Sequence, residues 1–208
     1  VINAINNEIP SVIEEFSYDI NIPRQKISHN LVKIKAFKNF NFGKLSMRYD
    51  YQVNDRKEFD IRRQDYIKKP ALDLNLQTHS LALDVESKFD GSSNFKAGVS
   101  GRYQKNFPDP ATGVKRIIPD YKKYDFSFYS VYDNTLNMNW LVEAGIRYDF
   151  SHINAYKYYK TYLWLDRNYD VLFPEFLVED QGLNTLTNPK FDFHNISSNS
   201  VSYTHPEP

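Results

Sequence analysis

The chain has 208 residues, a formal net charge of +0 and a mean hydropathy of -0.62. Neutrality argues against a general nucleic-acid binder, which carries a basic surface. The absence of cysteine excludes a disulfide framework and thiolate chemistry, and no apolar run reaches the ~18 residues of a membrane helix.

The opening Val1-Ile2-Asn3 lacks the basic start and apolar run of a secretory leader. The expectation is a mature chain or an internal fragment, and the fragment is favoured because the first residues read as the inside of a loop. Residues 3–24 keep no steady period. Residues 8–15 suit a short helical turn, or more simply part of a long surface loop that ends at Ile22-Pro23-Arg24.

From residue 28 the period becomes two. The first predicted strand covers 28–38, with Val32, Ile34 and Ala36 opposite Leu31, Lys33 and Lys35. After a tight turn at 39–43, the second covers 44–62. Leu45, Met47, Tyr49, Tyr51 and Val53 fall on one face; Lys44, Ser46, Arg48, Asp50 and Gln52 fall on the other. A loop at 64–70 leads to a third strand at 72–89 and a tight turn at 90–94. The fourth covers 95–107, with Phe95, Ala97, Val99 and Tyr103 opposite Lys96, Ser100, Arg102 and Gln104. A loop at 108–119 leads to the fifth, 122–133, with Tyr124, Phe126 and Phe128 on one face. A short turn at 134–137 precedes the sixth, 138–155. There Trp140, Val142, Ala144, Ile146, Tyr148 and Phe150 oppose Asn139, Glu143, Arg147, Asp149 and Ser151. A long loop then runs to Asn188-Pro189, and a last strand starts near Lys190. The ending from Ser202 reads as a turn or discontinuity.

This is the pattern of an all-β, antiparallel transmembrane β-barrel: long dyad strands with aromatics near the ends of an apolar face. Turn lengths alternate short and long, which in an outer-membrane barrel puts the short turns in the periplasm and the long loops outside. A soluble meander has no reason to sort its loops this way. One strand breaks the pattern. Leu72, Leu74 and Leu76 share one parity, whereas Leu81, Leu83 and Val85 share the other. Either a β-bulge at Thr78-His79-Ser80 shifts parity, or the Leu72–Leu76 stretch stands above the bilayer and packs on protein. The second is preferred.

Several segments carry a family likeness. Residues 56–63 (Arg-Lys-Glu-Phe-Asp-Ile-Arg-Arg), Pro70-Ala71-Leu72-Asp73-Leu74 and Thr78-His79-Ser80 are among them. So are residues 143–149 (Glu-Ala-Gly-Ile-Arg-Tyr-Asp), Asn154-Ala155-Tyr156-Lys157-Tyr158-Tyr159 and residues 188–195 (Asn-Pro-Lys-Phe-Asp-Phe-His-Asn). Together they resemble the barrel of TonB-dependent outer-membrane receptors, particularly those of Bacteroidetes-type bacteria. The likeness runs from about residue 20 to 198 and rests on order and spacing rather than on one motif. It implies about seven strands from the middle of a larger barrel, with the plug domain and TonB-contacting segment absent from this sequence.

No residue pattern here points to catalysis. His29, His79, His152, His194 and His205 show no metal-ligand spacing and read as isolated surface or lumen histidines. There is no phosphate loop, nucleophile elbow or ordered triad, so an enzyme is not expected, nor a cofactor. One face carries Arg48, Asp50, Asp84, Glu86, Lys96, Arg102, Asp125, Glu143, Arg147 and Asp149. Singly these read as a solvated wall of cross-strand charge pairs; collectively the resemblance implies contact with a plug. The best ligand-binding candidates lie in the 156–187 loop: Tyr158, Tyr159, Tyr162 and Trp164, aromatic groups with polar tips. The plainer alternative is that they extend an outer aromatic girdle. Arg62 and Arg63, with Lys68 and Lys69, form a basic cluster that suits an anionic solute, lipopolysaccharide phosphates or solvent.

The resemblance implies a TonB-dependent transporter taking up a scarce solute, such as an iron chelate, haem, cobalamin or a glycan, through a plugged barrel. Its partners would be the TonB complex, outer-membrane lipid and lipopolysaccharide, and an extracellular small-molecule substrate, with no nucleic acid. The alternative is a small structural or adhesive outer-membrane barrel without transport. A third class, a soluble β-rich binding domain, would pack its apolar faces together.

Overall fold

The computed structural model describes residues 18, 20, 22–61, 69–89, 92–114, 117–137 and 140–204. Among the described residues nine strands form one antiparallel sheet, so the protein is all-β. They are β1 (Arg24–Phe40), β2 (Gly43–Phe59), β3 (Leu72–Phe89), β4 (Ser93–Pro108), β5 (Asp120–Asn137) and β6 (Trp140–Lys160). The short β7 (Leu177–Asp180) and β8 (Asn184–Thr187) come next, then β9 (Lys190–Thr204). Two short helices, α1 (Thr161–Asp166) and α2 (Tyr169–Leu172), lie between β6 and β7. No described helix is long and apolar enough to cross a membrane, which says nothing of strands.

β1 to β6 lie side by side in chain order. β6 is the longest and has two partners on its far side: β9 along Trp140–Asn154 and β8 along Lys157–Lys160. Both keep the same register against β6, so 184–204 is one strand in effect, broken at Asn188-Pro189. Proline has no N–H for the ladder. Its carbonyl still accepts from the Ala155 N–H at 3.0 Å, and Asn188 Nδ2 donates to the Ala155 carbonyl at 3.0 Å. β7 adds to the outer side of β8. β1 and β9 do not pair with each other among the described residues, and the sheet is open.

Register decides which side chains share a face. The rows Ile34, Tyr49, Leu81, Gly101, Phe126, Phe150 and Ala36, Met47, Leu83, Val99, Phe128, Tyr148 run straight across β1–β6. The β-branched and aromatic residues of these rows suit a pleated surface, yet no described residue covers the face: Ile34, Leu45, Leu81, Phe126 and Ile146 are exposed. The apolar face thins at β9: Ile196 continues the row from Tyr148, but Ser198, Ser200 and Ser202 continue those from Ile146, Ala144 and Val142.

The predicted strands 72–89 and 95–107 lie close to the observed limits, and others needed correction. β2 ends at Phe59 rather than 62. Residues 134–137, predicted as a turn, extend β5, and Asn137 faces Trp140 across the true turn. β9 runs through Ser202, Tyr203 and Thr204 because β6 offers partners down to Trp140. The β7–β8 hairpin was not foreseen. The helical turn at 8–15 lies outside the described residues. No bulge occurs at Thr78-His79-Ser80: β3 keeps one register against both neighbours from Leu74 to Glu86. Leu72, Leu74 and Leu76 therefore share the polar face with Arg56 and Asn54, beyond the apolar rows, and Leu74 is buried.

Loop length sorts by end. At one end Phe40 meets Gly43 and Phe89 meets Ser93. At the other, 60–71, 109–119 and 161–183 separate the strands. Gly43 has φ 150°, and a Cβ there would strike the β3 backbone at Glu86 and Ser87. Gly98 serves a different purpose. The Tyr129 ring crosses it so that its hydroxyl donates to Asp84 Oδ1 at 2.9 Å, tying β5 to β3 over β4. A Cβ at Gly98 would lie 2.5 Å from both Asp84 Oδ1 and the Tyr129 ring.

Gly98→Val is expected to break the Tyr129–Asp84 bond and destabilise the sheet by about 1–3 kcal/mol, measured by denaturant unfolding in detergent. Gly101→Ala, with only Asp125 O within 4 Å of the added Cβ, should change stability by less than about 1 kcal/mol.

Candidate functional site

The two faces differ chemically as far as the register holds. All ten charged residues predicted to share a face do so. Most are paired within the sheet. Asp50 takes Lys33 Nζ at 3.5 Å and Arg48 Nε at 3.3 Å. Asp125 takes Arg102 Nε at 2.8 Å and Lys123 Nζ at 3.1 Å. Arg147 grips Asp149 with two nitrogens, Nε to Oδ2 at 2.8 Å and Nη2 to Oδ1 at 2.6 Å, while Ser127 Oγ donates to the same carboxylate at 2.6 Å. Lys96 reaches Glu86 at 3.7 Å. Most charges of this wall are ion-paired, although Asp50 Oδ1 is buried without a hydrogen bond; exposed pairs of this kind add little stability but keep the face wettable and nearly neutral.

The apolar face ends, toward the long loops, in one row of rings: Tyr51, His79, Tyr103, Tyr124 and His152 stand in register on five neighbouring strands. Successive ring centroids are 4.6, 6.2, 5.0 and 6.3 Å apart. The histidines were expected to be isolated surface or lumen residues. Instead His79, His152 and His194 lie on the apolar face, each with a partner. His79 Nδ1 is 2.9 Å from Tyr49 Oη, His194 Nδ1 is 2.8 Å from Tyr148 Oη, and His152 Nδ1 is 2.7 Å from Asp192 Oδ1. His29 lies on the polar face, 3.3 Å from Asn54 Nδ2; His205 is outside the described residues. Among the described residues no group of three or more His, Asp or Glu is placed to hold a metal ion.

Arg62, Arg63 and Lys68 lie outside the described residues, so the basic cluster is represented by Lys69 alone. Just beside that loop Lys57 Nζ is 3.0 Å from Asp73 Oδ2, and this hydrogen bond and charge raise its pKa above the ordinary 10.5.

The aromatic candidates separate. Tyr158 and Tyr159 belong to β6, opposite Leu186 and Thr185, and point to opposite faces. Tyr159 shares the polar-face parity and is the base of a small core. Its ring meets Trp164 at 5.3 Å, Trp164 meets Tyr169 at 5.4 Å, and the contacts pass through Phe173 and Phe176 to Phe191 of β9. Trp164 is 4% exposed, and Thr185 and Thr187 beside it are 2% and 1% exposed. Thr185 Oγ1 donates to Thr161 Oγ1 at 3.1 Å and Thr187 Oγ1 to the Lys157 carbonyl at 2.9 Å. Residues 161–176 are thus a folded cap seated on the polar face at the long-loop end. Trp164 is spent on holding it, whereas Tyr162 is 67% exposed on its surface. Of the predicted ligand residues, Tyr162 and Tyr158 keep free surface; Trp164 does not. The core members that sequence reasoning missed, Phe173, Phe176 and Phe191, are spaced irregularly, and only the chain reversal at β7–β8 brings Phe191 to Tyr169 and the rest.

No protein-family model matches the chain, and a comparison with curated proteins finds no match. The chemistry of the two faces therefore carries the functional argument.

Trp164→Ala is expected to loosen the cap at a cost of about 3–5 kcal/mol locally, read as faster amide exchange and proteolysis across 161–187 with the β1–β6 ladder unchanged. Tyr162→Ala should leave exchange of the cap as it is.

Proposed function

We propose that this chain is an arc of a transmembrane β-barrel in the outer membrane, and that it forms part of the wall of a TonB-dependent transporter. One observation carries the first step: six adjacent strands expose a largely apolar face, broken by Lys38 and Ser130 and bounded by a ring row, while their other face is charged and ion-paired. From Tyr103 to Phe95, or Tyr124 to Tyr132, the face extends eight residues, about 27 Å along the strand. A strand tilt of about 40° reduces this to roughly 20 Å across the bilayer, close to the apolar band of outer-membrane barrels. Six strands about 4.8 Å apart make the patch roughly 800 Å², above the roughly 300–600 Å² of the largest patch on a typical soluble monomer. Lipid is the solvent that such a face matches.

The open edges support an arc. In a bilayer an unpaired strand edge leaves N–H and C=O groups with no water to bond, so β1 and β9 need further strands. The sorted loop lengths support an orientation with the long loops outside. The transporter step rests on the family resemblance of residues such as 143–149 and 188–195, and on the cap, which covers polar-face surface at the outer mouth as a substrate-facing loop would. In this reading the ion-paired wall lines the lumen and meets a plug, and the solute (an iron chelate, haem, cobalamin or a glycan) is met first by the cap and neighbouring loops. The outer-membrane lipid, lipopolysaccharide and the TonB complex are its partners.

The native detergent-extracted polypeptide carrying this chain should have a mass several times 24.5 kDa. Cells making it should accumulate one of those four solute classes, and lose that uptake to background when TonB is deleted. A native mass near 24.5 kDa, or uptake indifferent to TonB, would contradict the transporter and favour a small structural or adhesive barrel.

A further inference from the structure

We infer that Lys105, Lys122 and Lys190 form a binding site for the phosphates of outer-leaflet lipid on the apolar side of the sheet; this rests on the membrane reading above. Register brings them together. Lys105 on β4 stands directly opposite Lys122 on β5, Lys122 opposite Asn154 on β6, and Asn154 opposite Lys190 on β9. The three cations and one amide thus make a single row across four neighbouring strands. They are two residues beyond Tyr103, Tyr124, His152 and Asp192, so they share that face and stand immediately above the ring row.

The placement has a cost that something must offset. Directly opposed like charges, with Cβ atoms about 5 Å apart, destabilise a strand pair. The other directly opposed cations, Lys26–Lys57 and Lys35–Arg48, each have one member held by a carboxylate: Lys57 by Asp73 and Arg48 by Asp50. Lys105, Lys122 and Lys190 are exposed and take part in no ion pair among the described residues. The nearest carboxylates do not neutralise the row. Asp192 is held by His152 at 2.7 Å, and Asp120 stands one pair further from the rings, opposite Tyr156. Lys105, Lys122 and Asn154 line a cavity of about 320 Å³, together with Asp120 and Tyr156 on the side away from the rings.

Level decides which anion fits. Tyr and His rings with wet tips mark the headgroup boundary, and the row above them lies where lipid phosphates lie. A phosphate seated between Lys105 and Lys122 turns a repulsive pair into two charge-assisted hydrogen bonds. Asn154 Nδ2 is a further donor on this row. Acyl chains of the same lipid would then run down over Tyr103, Tyr124 and Phe126. A soluble anion would gain the phosphate contact without that apolar one.

The test uses the full protein in detergent, loaded with bisphosphorylated lipid A or the same lipid stripped of phosphate, and scored by native mass spectrometry. Retention of the phosphorylated lipid should exceed that of the stripped lipid at least about tenfold. The variant Lys105→Gln/Lys122→Gln/Lys190→Gln should abolish the difference, and inorganic phosphate at millimolar concentration should compete poorly. Lys35→Gln/Lys44→Gln, two lysines of the polar face, should leave the preference intact. Equal retention of both lipids, an unaffected triple variant, or full displacement by inorganic phosphate would overturn the lipid-phosphate site. Insertion into phosphate-free vesicles is scored in parallel. A protein that inserts but shows no phosphate preference sinks this site alone, whereas one that stays in solution without detergent sinks the membrane reading and the site with it.

Discussion

Antiparallel register is the constraint on which the rest of this molecule depends. Side chains alternate with a period of two, so a slip of one residue moves every side chain of a strand to the other face. Five successive pairings, β1–β2 to β5–β6, hold over 14 to 17 residue pairs each and set the apolar rows and the ion-paired rows on opposite faces. A slip of β4 against β3 or β5 would place Arg102 opposite Leu81 or Phe126. Both faces therefore hold the register: one by exclusion of charge, the other by ion pairs such as Arg102–Asp125 that exist only in this alignment.

The two ends of the sheet carry different burdens. At the short-turn end the chain only has to reverse, and Gly43 with its positive φ does so against the β3 backbone. At the long-loop end the strands outrun the apolar rows, and their side chains need protein or water. Leu74 is buried there among its neighbours, and the 161–176 cap brings its own aromatic core to the polar face. Asn188 and Pro189 let β6 serve both the cap hairpin and β9 without a change of register. The cap is consequently anchored to the sheet through Thr185 and Phe191 rather than hung from it by two ends alone, and Tyr162 is carried on its surface.

The strands were legible because their signal is local: a period of two over many residues, punctuated by Asn, Gly and Pro. The face assignments of Leu45–Val53 and Trp140–Phe150 needed nothing else. What escaped depended on partners far along the chain. The parity change in β3 was ambiguous from sequence, since a bulge and an unbroken strand that outruns the apolar face give the same pattern; only the pairing with β2 and β4 separates them. Trp164 looked like a ligand residue because its ring contacts, Tyr159 and Tyr169, lie five positions away on either side and nothing local marks them. The Lys105–Lys122 row is invisible in sequence for the same reason. Its two lysines are 17 positions apart, and only the β4–β5 register makes them neighbours.

The absence of cysteine makes the central claim, lipid on one face and water on the other, directly measurable. Single cysteines placed along β5 at Tyr124, Phe126, Phe128 and Ser130, and at Asp125, Ser127, Tyr129 and Val131, take one spin label each after reconstitution in bilayers. The account predicts a strict alternation: collisions with oxygen dominate at the first four, and collisions with an aqueous nickel chelate dominate at the second four. Equal access of the aqueous chelate to both sets, or oxygen-dominated collisions at Asp125 and Ser127, would contradict it.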